Sequence, residues 1–167
     1  MKHRMLGSLT VVVGLPGSGK SRLIAKLGSR ATGLVADDFM NGVPFGSLVP
    51  RHPTVTDSKY YSTLIKDLRR GKSCVVSDII FCDVLVRTEL EAAVKADARG
   101  VQVSWQFFEN NQRKCAANAH RRARKESLAT ELKLIKFLGR KYFVPEGIKA
   151  HAIWDAKKQI VKKSRRR

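Results

Sequence analysis

Apolar positions follow two rhythms along this chain of 167 residues. Short unbroken apolar runs end on a turn residue or a carboxylate. Between them lie stretches whose apolar residues recur three and four apart. The run 9–13 predicts a strand buried on both faces, as in a parallel sheet. A helix follows from Lys20 to near Gly28. Residues 33–36 predict a short second strand that carries Asp37-Asp38-Phe39 at its C-terminal end. The stretch 41–53 holds Gly42, Pro44, Gly46, Pro50 and Pro53, so it predicts an irregular loop on the substrate side. Thr56 or Asp57 can cap a helix to about Arg70, with Tyr60, Leu64, Ile65 and Leu68 on its apolar face and Gly71 as its stop. Residues 73–77 predict a third strand ending at Asp78, and a helix from about Asp83 to Arg99 follows. Residues 101–108 predict a fourth strand rich in β-branched and aromatic side chains. A basic helix from Asn111 to about Lys125 precedes a further helix to about Leu138. Pro145 and Gly147 mark a turn, and 150–154 predict a fifth strand. Strands alternate with helices throughout, which predicts an α/β fold. The expected sheet is mostly parallel and five-stranded, with helices on both faces and right-handed crossovers.

The length suits one domain, expected over 1–155, with a basic C-terminal tail over 156–167. Charge changes the picture more than composition does. Lys and Arg number 33 against 14 Asp and Glu, a net charge of +19. That excess points to a polyanionic partner, most often nucleic acid, although a basic tail and solvated helix faces account for part of it. No apolar run approaches the ~20 residues of a membrane span. The three cysteines, Cys74, Cys82 and Cys115, have no metal-ligand spacing and read as free thiols, so the expected location is the cytoplasm.

The chemistry is concentrated after the first strand. Gly14-Leu15-Pro16-Gly17-Ser18-Gly19-Lys20-Ser21 spells G-x-x-x-x-G-K-S, the phosphate-binding P-loop, in its strand–turn–helix context. Glycine lets backbone N–H groups close on a polyphosphate, and the helix start adds a positive dipole end. Gly14, Pro16, Gly17, Ser18, Gly19, Lys20 and Ser21 are therefore the candidate nucleotide contacts. Lys20 can reach the β- and γ-phosphates, and the Ser21 hydroxyl can hold Mg²⁺. No Asn-Lys-x-Asp for guanine is present, which favours ATP.

Phosphoryl transfer to a hydroxyl also needs a carboxylate near the γ-phosphate and cations around the transferring group. Asp37 and Asp38 stand at a strand end beside the P-loop, so one of them is the candidate base and both are candidate substrate contacts. The other is a helix cap on the bland reading. Asp78 follows its strand in the manner of a Walker B acid and is the second candidate Mg²⁺ residue, or a cap. The basic helix 111–125 is the natural lid. Arg121 and Arg122 are its candidate ATP clamps, and Cys115, Ala116, Ala119 and Ala123 form a small buried side, as fits a lid that packs lightly and moves.

These pieces resemble the 5′-hydroxyl polynucleotide kinase branch of P-loop kinases, a group of small AAA-type kinases. The P-loop, Ala36-Asp37-Asp38-Phe39, Val75-Val76-Ser77-Asp78 and the late Tyr142-Phe143-Val144-Pro145-Glu146-Gly147 carry the likeness, over roughly 8–155. The resemblance implies an adenylate-kinase-like P-loop NTPase fold and an ATP- and Mg²⁺-dependent transfer to a polynucleotide 5′-hydroxyl. It implies that Asp37 is the catalytic base, with Lys20 and Arg122 as the catalytic cations. Two positions depart from the family. Its lid carries Arg-Asn-x-x-Arg, whereas Asn118-Ala119-His120-Arg121-Arg122 stands here, with Arg122 at the second arginine. The arginine three residues after the base is Met40. A kinase of a nucleotide, nucleoside or sugar is the nearest alternative, and a nucleic-acid-binding P-loop protein without turnover is a further one.

Overall fold

Ser8–Val13 forms β1 at the centre of the sheet, and Leu9, Val11, Val12 and Val13 are fully buried. The unbroken apolar run is thus explained, since a central parallel strand has no solvent face. The computed structural model describes residues 7–40, 54–122 and 125–155. Beside β1 lie β2 (Val35–Ala36), β3 (Ser73–Ser77) and β4 (Gln102–Phe107), in the order β2-β3-β1-β4. Every pairing is parallel, with Val11 opposite Val76 on one side and Trp105 on the other. The strands therefore all end at one pole of the molecule, where open α/β sheets hold ligands.

Five α-helices are described: α1 (Lys20–Gly28), α2 (Tyr61–Arg69), α3 (Val84–Asp97), α4 (Gln112–Arg122) and α5 (Lys125–Gly139). The chain moves from β1 to β2 in one direction across the sheet and back for β3 and β4. Right-handed crossovers then put α1 on one face and α2 with α3 on the other. Tyr61 of α2 donates its hydroxyl to Asp97 of α3 at 2.7 Å, as that shared face requires. Leu64, Leu68, Phe81 and Leu90 are buried to within 1% exposure, and each contributes about 1.5–3 kcal/mol by leaving water.

Three expectations need correction. The sheet has four strands among the described residues, since 150–154 contributes a single parallel bridge, His151 to Phe108. His151 donates its N–H to Phe107 O and Glu109 donates to His151 O, which begins a ladder. The ladder stops because the next amides are diverted. Ile153 donates to the Glu109 side chain and Trp154 to Ser18 O in the P-loop. The helix expected from Thr56 or Asp57 is split. Thr54 and Asp57 form a capping box on a 3-10 turn over Val55–Asp57, and α2 starts only at Tyr61. The small side of the basic helix is firmly packed, with Cys115 and Ala119 fully buried. The loop 41–53, residues 123–124 within the expected lid, and the tail 156–167 lie outside the described residues.

Candidate active site

The P-loop leaves β1 at Val13 and enters α1 at Lys20. Gly17 (φ 81°) and Gly19 (φ 107°) take the left-handed conformation that only glycine adopts cheaply. They are also squeezed from both sides. A Cβ on Gly17 would stand 2.5 Å from Cys115 O of α4, and one on Gly19 would stand 2.9 Å from Trp154 Cβ. The loop is thus held between α4 and the segment after His151. Asn118 of α4 closes this clasp, donating its side-chain amide to Gly17 O at 2.9 Å and Trp154 O at 2.6 Å.

The Lys20 side chain is buried and folds back over the loop. Its ammonium donates to Gly14 O at 2.8 Å and Leu15 O at 3.1 Å. Burial holds that ammonium below the usual lysine range, against the pull of Cys82 and Asp37. A buried cation whose hydrogen bonds among the described residues go to backbone carbonyls is suited to an incoming anion. α1 has no acid in its first turn and no side-chain cap at Gly19, so its positive end is open to an anion as well.

A cleft of about 430 Å³ opens here. Pro16, Gly17, Gly19, Lys20 and Ser21 form its floor, and Asp37 and Asp38 face it from the end of β2. Gly14 and Ser18 lie beneath that floor. The Ser18 hydroxyl is sealed from solvent without a partner, and a Cβ on Gly14 would come within 2.6 Å of it. Ser18 donates its N–H to Leu15 O, closing the turn.

Asp78 is buried, and its position explains how the Asp37-Asp38 corner is held. Its Oδ2 accepts from Met40 N at 2.8 Å and its Oδ1 from Ile80 N at 3.1 Å. Phe39 donates its N–H to Ser77 O at 2.9 Å, and Ser58 donates its hydroxyl to Phe39 O. The Asp78 carboxyl is pushed up to about 6, chiefly by loss of water and partly by Asp38, while the two N–H groups oppose the shift. It both caps the turn Ile79–Cys82 and latches the corner.

The two candidate clamp arginines are already engaged. Arg122 lines the cleft and pairs with Glu131 of α5. Arg121 Nη1 lies 3.6 Å from Asp155 Oδ1 and donates to the side-chain Oδ1 of Asn118 at 3.4 Å. Arg22, Ile79, Asn118, Glu131 and Trp154 also line the cleft and were not assigned to it from the sequence. Asn118 stands amid the small buried residues Cys115 and Ala119, and a polar side chain on that stripe was the available signal. Trp154 lines the cleft with its ring 3.9 Å from the Arg22 guanidinium carbon, and nothing local in the sequence marks that stacking. No group of three or more His, Cys, Asp or Glu side chains disposed to hold a metal ion occurs among the described residues. No helix among them is long and apolar enough to cross a membrane.

No curated protein matches the sequence. Among solved structures, a gluconokinase from Sinorhizobium meliloti 1021 is similar at 18% identity and TM-score 0.53, with 97% of this chain and 91% of that chain covered. The crystal structure of APE1195 is similar at 16% identity and TM-score 0.55, with 96% and 91% covered. Both likenesses are of fold, a P-loop NTPase-like α/β arrangement. The AAA domain family matches residues 9–140, from the start of β1 through α5. By that match, which spans most of its length, the chain belongs to the AAA domain family.

Proposed function

We propose that this protein is an ATP- and Mg²⁺-dependent kinase that phosphorylates a hydroxyl on a small acceptor. The observation that carries the reading is the shared cleft, in which Lys20 and Ser21 on one wall face Asp37 and Asp38 on the other. In this reading the P-loop amides and Lys20 take the β- and γ-phosphates, and Asp37 accepts the proton of the attacking hydroxyl. Asp38 orients the acceptor. The residues suit a nucleotide: the buried cation and the open helix end both await an anion, and a Cβ would fill the glycine cradle. Ser21 would hold Mg²⁺ directly, and Asp78 through water, because two backbone amides already occupy its oxygens. Bound there, the ion neutralises charge on the phosphates. Arg122, and Arg121 beside it, would exchange their carboxylate partners for nucleotide phosphates as the α4–α5 hairpin acts as a lid.

A small acceptor is favoured by the cleft's size and by the fold shared with a gluconokinase over nearly the whole chain. A polynucleotide 5′-hydroxyl is the second reading, favoured by the net charge of +19. The test is transfer from γ-labelled ATP with Mg²⁺ to a panel of sugar acids, nucleosides, nucleotides and 5′-hydroxyl oligonucleotides, at low and high salt. Label on a small acceptor with little salt effect establishes the first reading. Label on oligonucleotides alone, suppressed by salt, establishes the second. No label on any acceptor, with ATP bound, removes both.

A further inference from the structure

Lys20 and Arg87 are the two buried basic side chains among the described residues. Lys20 has the phosphate cradle. Arg87 lies on α3, outside that cleft, and is 6% exposed. Its Nη1 donates to Phe81 O at 3.2 Å, and its guanidinium carbon lies 5.2 Å from the ring centres of both Phe107 and Phe143. Among the described residues no carboxylate stands within ion-pair distance of it. Asp83, one turn earlier, gives one oxygen to Leu85 N and the other to Lys141. Glu91, one turn later, pairs with Lys95 at 2.7 Å. Loss of water holds the guanidinium below its ordinary range, which agrees with a buried charge lacking a counter-ion.

A guanidinium has five N–H donors, and one is committed here. Arg87 lines a groove beside α3, and none of its other nitrogens is a sealed atom without a partner among the described residues. That groove is about 640 Å³, within the range of small-molecule sites. Its walls are mainly apolar, with Thr88 and the Glu91–Lys95 ion pair along the α3 side. Trp105 and Phe107 of β4 form one side, and Val84, Phe143 and Ile148 remain 39%, 51% and 48% exposed. It shares no lining residue with the P-loop cleft.

We propose that this groove binds a small monocarboxylate with an aromatic or aliphatic body, its carboxylate paired to Arg87. One planar fork without a second uncommitted cation matches a single negative charge, since Lys95 is already paired. The apolar walls select the body. The site is independent of the kinase reading and stands or falls apart from it.

The test uses the full chain with 3-phenylpropionate, its neutral amide, and acetate as probes. At about 100 times its Kd, 3-phenylpropionate is expected to raise the melting midpoint by about 5 °C. The amide and acetate at the same concentration should give no more than a small part of that shift. Arg87→Met should fold with an unchanged or raised midpoint, because it removes a buried unpaired charge, and should bind the probe at least about tenfold more weakly. A direct readout on the unaltered protein covers failure of that variant to fold. The chain has two tryptophans. The probe should move the indole N–H resonance of Trp105 and leave that of Trp154, at the P-loop, in place. Equal shifts with acid and amide, a full shift retained in Arg87→Met, or an unmoved Trp105 resonance overturns the proposal.

Discussion

Asp37 and Lys20 face the same cleft with opposite exposure, and their variants should therefore differ. Asp37 is solvent-exposed and its side chain makes no hydrogen bond or ion pair with another described residue, so Asp37→Asn should fold normally and keep ATP affinity. Its turnover should fall roughly 10²–10⁴-fold, the usual worth of a positioned base. Turnover within a few-fold of the unaltered protein would move the base elsewhere, with Asp38 next in line. Lys20→Met should lose roughly 10²–10³-fold in kcat and weaken nucleotide binding, measured by calorimetry with a non-hydrolysable ATP analogue. Asn118 predicts a mixed effect. Its amide serves two carbonyls, and Asn118→Ala leaves both without that donor, costing about 2 kcal/mol in urea unfolding and weakening ATP binding. These residues differ in legibility. Lys20 and Asp37 follow from motif and strand end, because local spacing dictates them. The partners of Asn118 lie 101 and 36 residues away, so no local pattern could name them.

At the scale of elements, α4 packs directly against the P-loop. Gly17 lies against the backbone of Cys115, so Gly17→Ala adds both a strained φ and a backbone collision. It should cost at least about 2 kcal/mol and abolish nucleotide binding, by denaturation and calorimetry respectively. The thiols offer a gentler probe. Burial pushes Cys74 and Cys115 up to about 11 and Cys82 up to about 12, and the thiolate is the reactive form. All three should resist iodoacetamide at pH 8 in the native protein. Cys115 should label faster in Asn118→Ala and more slowly with ATP and Mg²⁺ present, by peptide mass spectrometry. If its rate ignores both, α4 does not move with the loop. Apart from the split before α2, the strands and helices up to Leu138 were legible because most have their own apolar rhythm and stop. The fifth strand failed because its apolar run carried no record that Trp154 N–H would bond Ser18 O instead of the sheet.

For the whole molecule, the excess charge sets the question. Lysines and arginines outnumber acids more than twofold, and seven of them fall in the last eleven residues, 157–167. Truncation after Asp155 should leave turnover on a small acceptor within about twofold. The same truncation should flatten the salt dependence of nucleic-acid binding, by roughly 0.7–0.9 of a log–log slope for each phosphate the tail had neutralised. If it removes turnover itself, the tail belongs to the active site. The clasp on the P-loop has a last consequence, for the order of synthesis. Asn118, which holds the loop through Gly17, leaves the ribosome 101 residues after it, and Trp154 follows later still. A nascent chain therefore carries its phosphate cradle unfastened until both have emerged, and nucleotide can reward folding only once they have docked.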